Sequence, residues 1–372
     1  MIREAYLEIV LRLARIAPEL VDSWCGPPGV AARVEAEPPP TRERLRAQIR
    51  ELLAVEEDRW VRAQLEALDV AAQWLDGRHF EYAELVERCH GVRPEVTPED
   101  VFAEAHRRLD EALPGSGRVA ERYRAWHATQ VVPVEALPEA VDALVRELRE
   151  RTRRKYGLPE GESADVELVS GERWAAFARY LGGGRSRILI NTDLPIPSFR
   201  LLEVVAHEIY PGHHTDASWK DNPVMLLPTP QPLVSEGTAM VALEALLGDD
   251  AEEVAAACVR PLGIPYDIAT AAVVRSAQEA LVPLEQNVEL LGLSREDAAA
   301  YARRWLLEPD DYVDKWVESV FGQPWRPYTS CYPEGLRLCR KFVGGDPERF
   351  GRLLRERLTP TELRSAPPRR TP

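Results

Sequence analysis

Apolar residues recur at three- and four-residue intervals over most of this 372-residue chain, which is the period of an α-helix that buries one face. In the first half the pattern covers 2–22, 41–76, 80–90, 98–112, 118–129 and 137–155. Thr97 followed by Glu99 and Asp100 reads as a helix start. Two breaks stand out: a Gly- and Pro-rich stretch from Cys25 to Pro40, and Pro114-Gly115-Ser116-Gly117. Near position 160 the period changes. Residues 165–171 and 187–193 read as strands, 174–181 fits either a third strand or a short helix, and Gly182, Gly183 and Gly184 form the turn before the 187 strand. Helical pattern resumes at 198–210. A Pro-rich loop over 222–232 is followed by helices at 233–247, 249–260, 265–291, 295–307, 309–320, 332–343 and 347–357. The chain is therefore expected to be mainly α with a small sheet. Residues 1–160 form a helical amino-terminal region and 161–365 a second region with the sheet, the two making one compact unit, with a disordered tail over 366–372.

Charge narrows the partners. Sixty-one acidic residues against 47 basic ones leave a net charge of -14, which argues against nucleic acid, whose phosphates need clustered Lys and Arg, and against an anionic membrane surface. No apolar run reaches the roughly 18 residues a membrane helix needs. The first residues mix acidic and basic side chains into their apolar run and read as an amphipathic helix, not a signal peptide. Cys25, Cys89, Cys258, Cys331 and Cys339 are odd in number and widely spaced, with no CxxC pair. That pattern fits reduced thiols in a cytoplasm and excludes a cysteine zinc site.

Three of the seven histidines fall inside His207-Glu208-Ile209-Tyr210-Pro211-Gly212-His213-His214. The segment opens like HExxH, in which two His at i and i+4 share a helix face and bind zinc while the Glu between them acts as base. On an unbroken helix His213 lies about 120° around the axis and roughly 9 Å along it from His207, and His214 about 10 Å along it. Zinc–nitrogen bonds of about 2.0–2.1 Å cannot span either separation. Pro211 has no N–H for the carbonyl of His207 and its ring crowds that carbonyl, and Gly212 permits a sharp turn. The helix is therefore expected to break here and to carry a later histidine back toward His207.

The segment resembles the HExxPGHH signature of the bacterial domain-of-unknown-function 885 family, whose members look related in fold to the helical Taq-type carboxypeptidases. LVDSWCGPP near the start, SEGTAMVAL after the motif, GLSREDAAAYARRW, and YTSCYPEGLRLCRKF resemble family blocks in the same order, so the likeness extends over nearly the whole chain. The family's pattern favours His213 over His214 as ligand. Two departures stand out: Asp216 replaces a common Gln, and a later D-x-G-x-H element reads Glu285-Gln286-Asn287-Val288-Glu289. The resemblance implies a multi-helix metallopeptidase-like fold with its small sheet next to the metal-binding helix, and carboxypeptidase-like cleavage of a peptide.

Roles follow from this frame. His207 and His213 are the expected metal ligands, and Glu236 the third, since it opens a predicted helix beside Gly237 and occupies the family's EG position; Glu244 competes with it but reads as an ion-pair residue. One zinc ion is expected, although Mn, Co or Fe suit similar ligand sets. Glu208 is the expected general base. Tyr332, with Tyr328 second, is the expected oxyanion donor. Arg337 or Arg275 would receive a substrate carboxylate. Ile188 and Ile190 lie on the strand expected either to pair with an extended substrate or to form a plain structural hairpin. Asp216 is expected in solvent, or else orienting a ligand histidine. The substrate is a peptide or another small amide; the rival readings are a non-peptide amidase and a helical scaffold that keeps the motif without catalysis.

Overall fold

The computed structural model describes residues 4–172 and 174–366; the expected tail beyond 366 lies outside them. The fold is mainly helical with two small sheets. The helices are α1 (Glu4–Ala14), α2 (Pro28–Glu35), α3 (Arg42–Leu53), α4 (Arg59–Leu75), α5 (Tyr82–His90), α6 (Glu99–Ala112), α7 (Val119–Thr129) and α8 (Leu137–Tyr156) before the larger sheet. After it come α9 (Ser198–Glu208), α10 (His213–Lys220), α11 (Pro230–Leu247), α12 (Ala251–Val259), α13 (Ile268–Leu281), α14 (Leu284–Leu290), α15 (Arg295–Trp305), α16 (Asp310–Gly322), α17 (Cys331–Val343), α18 (Pro347–Arg355) and α19 (Pro360–Ser365). The strands are β1 (Val21–Trp24), β2 (Ser163–Val169), β3 (Ala176–Gly182), β4 (Arg185–Asn191) and β5 (Val224–Leu226).

Prolines account for most departures from the periodic reading. The expected helix over 2–22 stops at Ala14, because Pro18 has no N–H for the Ala14 carbonyl; a 3-10 turn at Pro18–Leu20 then leads into β1. The Cys25–Pro40 stretch, read as a break, contains α2, which begins on Pro28, a position where the missing N–H costs nothing. The 41–76 segment splits at 54–58, where the Asp58 carboxylate accepts from Val61 N–H (2.9 Å) and caps α4. Pro283 divides 265–291 into α13 and α14. The Pro-rich stretch 222–232 is not all loop: it holds β5 and the first turn of α11, whose N1 residue is Pro230. Within 174–181 the chain forms β3, from Ala176, rather than a helix.

β1 and β5 pair antiparallel. In the larger sheet the order is β2-β4-β3, with β2 parallel and β3 antiparallel to β4. β3 packs on α9 and α10, which places this sheet beside the histidine segment. One large core joins α8, α9, α11, α12, α17 and α18 to the inner face of β4; a second gathers α1, α3, α4 and α5 around β5 and Trp325. No helix among the described residues is long and apolar enough to cross a membrane.

α11 threads the centre, with every residue from Pro230 to Ala239 buried. Its closest neighbour is α17. A Cβ on Gly237 would lie 2.3 Å from the Gly335 carbonyl oxygen, and one on Gly335 would lie 2.4 Å from that of Leu233. Only hydrogen fits at this crossing, and the crossing sets Glu236 against Tyr328, in the 3-10 turn that leads into α17. Gly237→Ala is therefore expected to cost about 3 kcal/mol, the scale of a backbone-level overpacking, read as a lowered denaturation midpoint. Gly29→Ala in α2, with nothing within 4 Å of the added carbon, should instead be neutral or stabilising by roughly 0.5–1 kcal/mol.

Candidate metal centre

α9 ends at Glu208 because Ile209 leaves helical geometry (φ -120, ψ -84) and Pro211 cannot donate to His207. The amides of Ile209 and Tyr210 both reach Val205 O (3.0 and 3.2 Å), which closes the last turn, and the Tyr210–Pro211 peptide is cis. Gly212 lies directly against the end of α9, and α10 starts at the next residue. Thr215 fastens the new helix by donating its backbone N–H (3.2 Å) and its hydroxyl (3.0 Å) to Ile209 O.

The consequence is that His207 and His213 meet ring to edge, with centroids 4.6 Å apart. Glu236, reaching in from the first turns of α11, completes a trio. Its Oε2 lies 3.3 Å from His207 Nε2 and its Oε1 3.5 Å from His213 Nε2. Each separation is short enough for both atoms to lie about 2.0–2.2 Å from one ion. All three candidate ligand atoms lie within 4.8 Å of one another, and no other such group occurs among the described residues. Glu236 Oε2 is buried and makes no hydrogen bond. A buried carboxylate oxygen without a hydrogen bond is costly, and a cation between the three groups would satisfy it. The residues therefore fit a metal ion.

The surroundings hold each group in place. Ser235 Oγ faces His213 Nδ1 at 3.2 Å, an arrangement that leaves Nε2 free to ligate. The Tyr328 hydroxyl donates to Glu236 Oε1 at 2.7 Å, and the Tyr332 ring packs edge-on against Tyr328, 5.6 Å between centroids. Burial and the Glu236 charge push both phenols well above their ordinary pKa, so they remain donors. Glu208 is buried one residue after His207, and its charge is felt by His213 and Tyr332. Asp22 on β1 faces the same region. Desolvation and repulsion from Glu236 push its carboxyl up to about 6, against the pull of His213 and Arg179.

Burial opposes a charge on His213, but attraction to Glu236 outweighs it and raises the imidazole to about 9. Burial likewise opposes the Glu236 charge, yet His213 and His207 hold that carboxyl well below its usual range. Without metal the site is thus a His213–Glu236 ion pair, and an incoming cation must displace a proton. Apparent zinc affinity should rise about tenfold per pH unit between roughly 7 and 9 and level off above that. The metal-free protein responds in the opposite sense. A raised imidazole pKa gives stability that is complete below 6.5 and is lost as pH rises through about 9. Chelator competition and melting curves across this range check both; affinity independent of pH would show that His213 is not the displaced group.

Several of the residues considered from the sequence lie away from the trio. His214 is fully buried and turned away from the trio, hydrogen-bonded to Glu162 and Ser186. Asp216 is not in solvent: it is buried and ion-paired to Lys220. Glu244 is exposed and pairs with Arg340 at 2.8 Å. Arg275 is committed to Glu252 at 2.7 Å, and Arg337 pairs with buried Glu334 while its side chain stays largely exposed. Ile188 and Ile190 are core residues with no exposed surface, and β4 is the central strand of its sheet. The expected substrate pairing along β4 is thereby corrected, because β2 and β3 already take the backbone groups on both its edges. Ser235, Asp22 and Glu162 were not singled out from the sequence. Ser235 carried a signal, being adjacent to Glu236; Asp22 fell in a stretch read as helix, and Glu162 in a loop.

No family model and no curated protein matches this chain. Among solved structures it is similar to a protein described as a lipoprotein from Colwellia psychrerythraea, with TM-score 0.55 and 15% identity over 89% of this chain. The chain spans 64% of the length of that structure. It is also similar to a carboxypeptidase from Pyrococcus furiosus, with TM-score 0.41 and 12% identity over 94% of this chain and 88% of the other. The first likeness shows a shared fold and carries nothing about chemistry.

Proposed function

We propose that this protein is a zinc-dependent hydrolase of amide bonds, a metallopeptidase of carboxypeptidase-like action, with His207, His213 and Glu236 as ligands. The observation that carries the reading is the trio itself: two imidazoles and a carboxylate whose ligand atoms lie within 4.8 Å of one another, with one buried carboxylate oxygen lacking a hydrogen bond. A zinc ion held there supplies Lewis acidity that polarises a carbonyl and acidifies water. Glu208 takes the proton of the attacking water and passes it to the departing amine. Tyr332 donates its hydroxyl to the oxygen that gains negative charge, while Tyr328 holds Glu236 in place. An extended substrate is assigned to β3, an edge strand beside α9 and α10. Arg337 retains a role only at the mouth of the cleft, where its exposed guanidinium would have to leave Glu334 to meet a substrate carboxylate. Five free thiols support a reducing compartment, the cytoplasm.

The test is elemental analysis of protein purified without chelator, joined to hydrolysis assays on peptide and non-peptide amides. One zinc per chain is expected, with activity lost on chelation and restored by zinc. Cleavage confined to non-peptide amides would replace the peptidase with an amidase. Protein with no zinc and no affinity for it would leave a helical scaffold.

A further inference from the structure

Glu162 lies between α8 and β2 with its side chain 1% exposed. Oε1 accepts from the Arg149 guanidinium of α8, at 2.6 Å from Nη2 and 2.9 Å from Nε. Oε2 accepts from the Tyr210 hydroxyl at 2.6 Å and from His214 Nε2 at 2.9 Å. Since the carboxylate can only accept there, Nε2 carries the His214 proton, and Nδ1 is left to accept from the Ser186 hydroxyl at 2.8 Å on β4. Burial opposes the charge on Glu162, but these donors together lower its pKa. One buried carboxylate therefore grips the chain on both sides of Pro211, Gly212 and His213, in the segment where the helical hydrogen bonds are interrupted.

We propose that Glu162 is a positioning residue for the metal centre: by holding Tyr210 and His214, it fixes where His213 stands relative to His207. The inference rests on the metal-site reading. It also gives His214 a role, since that imidazole does not reach the trio and is an anchor rather than a ligand. Without Glu162, Tyr210 and His214 lose their shared anchor, and the segment 209–214 is left with the His214–Ser186 and His213–Ser235 bonds and its contacts to α9, which hold the spacing of the two ligand imidazoles less firmly. Charge-assisted bonds such as these are the strong members of a polar network, and Arg149 balances the charge that makes them so.

The experiment measures zinc affinity by chelator competition for the wild type, Glu162→Gln, Tyr210→Phe and a control, Glu252→Gln. Glu252 on α12 is a buried carboxylate that also holds one tyrosine (Tyr266, 2.5 Å) and one arginine (Arg275, 2.7 Å), neither of them in the 207–214 segment. Circular dichroism and melting of the metal-free proteins accompany each titration. Glu162→Gln and Tyr210→Phe are expected to weaken zinc binding by roughly 10- to 100-fold, the range for groups that orient ligands from behind. Glu252→Gln should lower the melting temperature and leave zinc affinity unchanged. If Glu162→Gln fails to fold, Tyr210→Phe, which removes one hydroxyl, carries the test. Folded variants that bind zinc like the wild type would overturn the positioning role while leaving the metal site standing. A wild type without zinc affinity would remove the metal reading, and this inference with it.

Discussion

If the protein is the proposed zinc hydrolase, Glu208→Gln is expected to bind zinc like the wild type and to lose amide hydrolysis by about 10²- to 10⁴-fold, the usual contribution of a positioned general base. The two halves of this expectation have separate causes. Zinc stays because Glu208 is not among the three groups that converge, and glutamine has nearly the same shape. Hydrolysis falls because an amide cannot accept the proton. The carboxylate is well placed to accept one. It is the last residue of α9, one position after His207, and it makes no hydrogen bond or ion pair among the described residues. Carboxylates that serve structure in this fold have partners. Glu162 has three, Arg149, Tyr210 and His214, and Glu252 has two, Tyr266 and Arg275. Kinetics on the best amide substrate, with metal content measured on the same preparation, check the prediction. A glutamine variant that binds zinc and turns over like the wild type would strip Glu208 of the role. Such a variant lacking zinc would point instead to a disturbed end of α9.

How far the sequence reaches depends on whether a feature is local. Helical period is local, and α6, α7, α8 and α9 lie close to where the apolar spacing puts them. The histidine segment is local too, since its chemistry and its proline–glycine break share eight consecutive residues. Short elements fail because three or four residues cannot display a period: β1 and β5 exist through pairing with each other across some two hundred positions. Sheet order fails for a related reason. The alternation in 187–191 shows one face inward, but whether the strand is central depends on where β2 and β3 dock, and the parallel β2–β4 pair is formed only after the chain has passed through β3. Around the trio, Ser235 could be read because it adjoins Glu236, whereas the Tyr328 bond to Glu236 depends on the Gly237–Gly335 crossing of α11 with α17. Glu162 has no sequence signal, because a carboxylate in a loop looks solvated until Tyr210, His214 and Arg149 close around it.

Gly212→Ala should abolish zinc binding at a position that carries no ligand. The reason is space at the junction of the two helices. An added Cβ would lie 1.8 Å from the His207 carbonyl oxygen, 2.4 Å from its carbon and 2.5 Å from the Ala206 oxygen. All three are backbone atoms of the final turn of α9, so no side-chain rotation relieves the overlap. Reaching ordinary contact requires α9 and α10 to part by about 1.5 Å, a backbone-level version of overpacking. Ligand distances tolerate only about 0.2 Å, and the imidazoles of His207 and His213 ride on the two parts being separated. The stability cost should be about 3 kcal/mol or more, seen as a lowered denaturation midpoint. His213→Ala provides the comparison: it should also lose zinc, by removing a ligand, but without forcing the helices apart. If Gly212→Ala bound zinc as tightly as the wild type, contact between the end of α9 and the start of α10 could not be what brings the two histidines together.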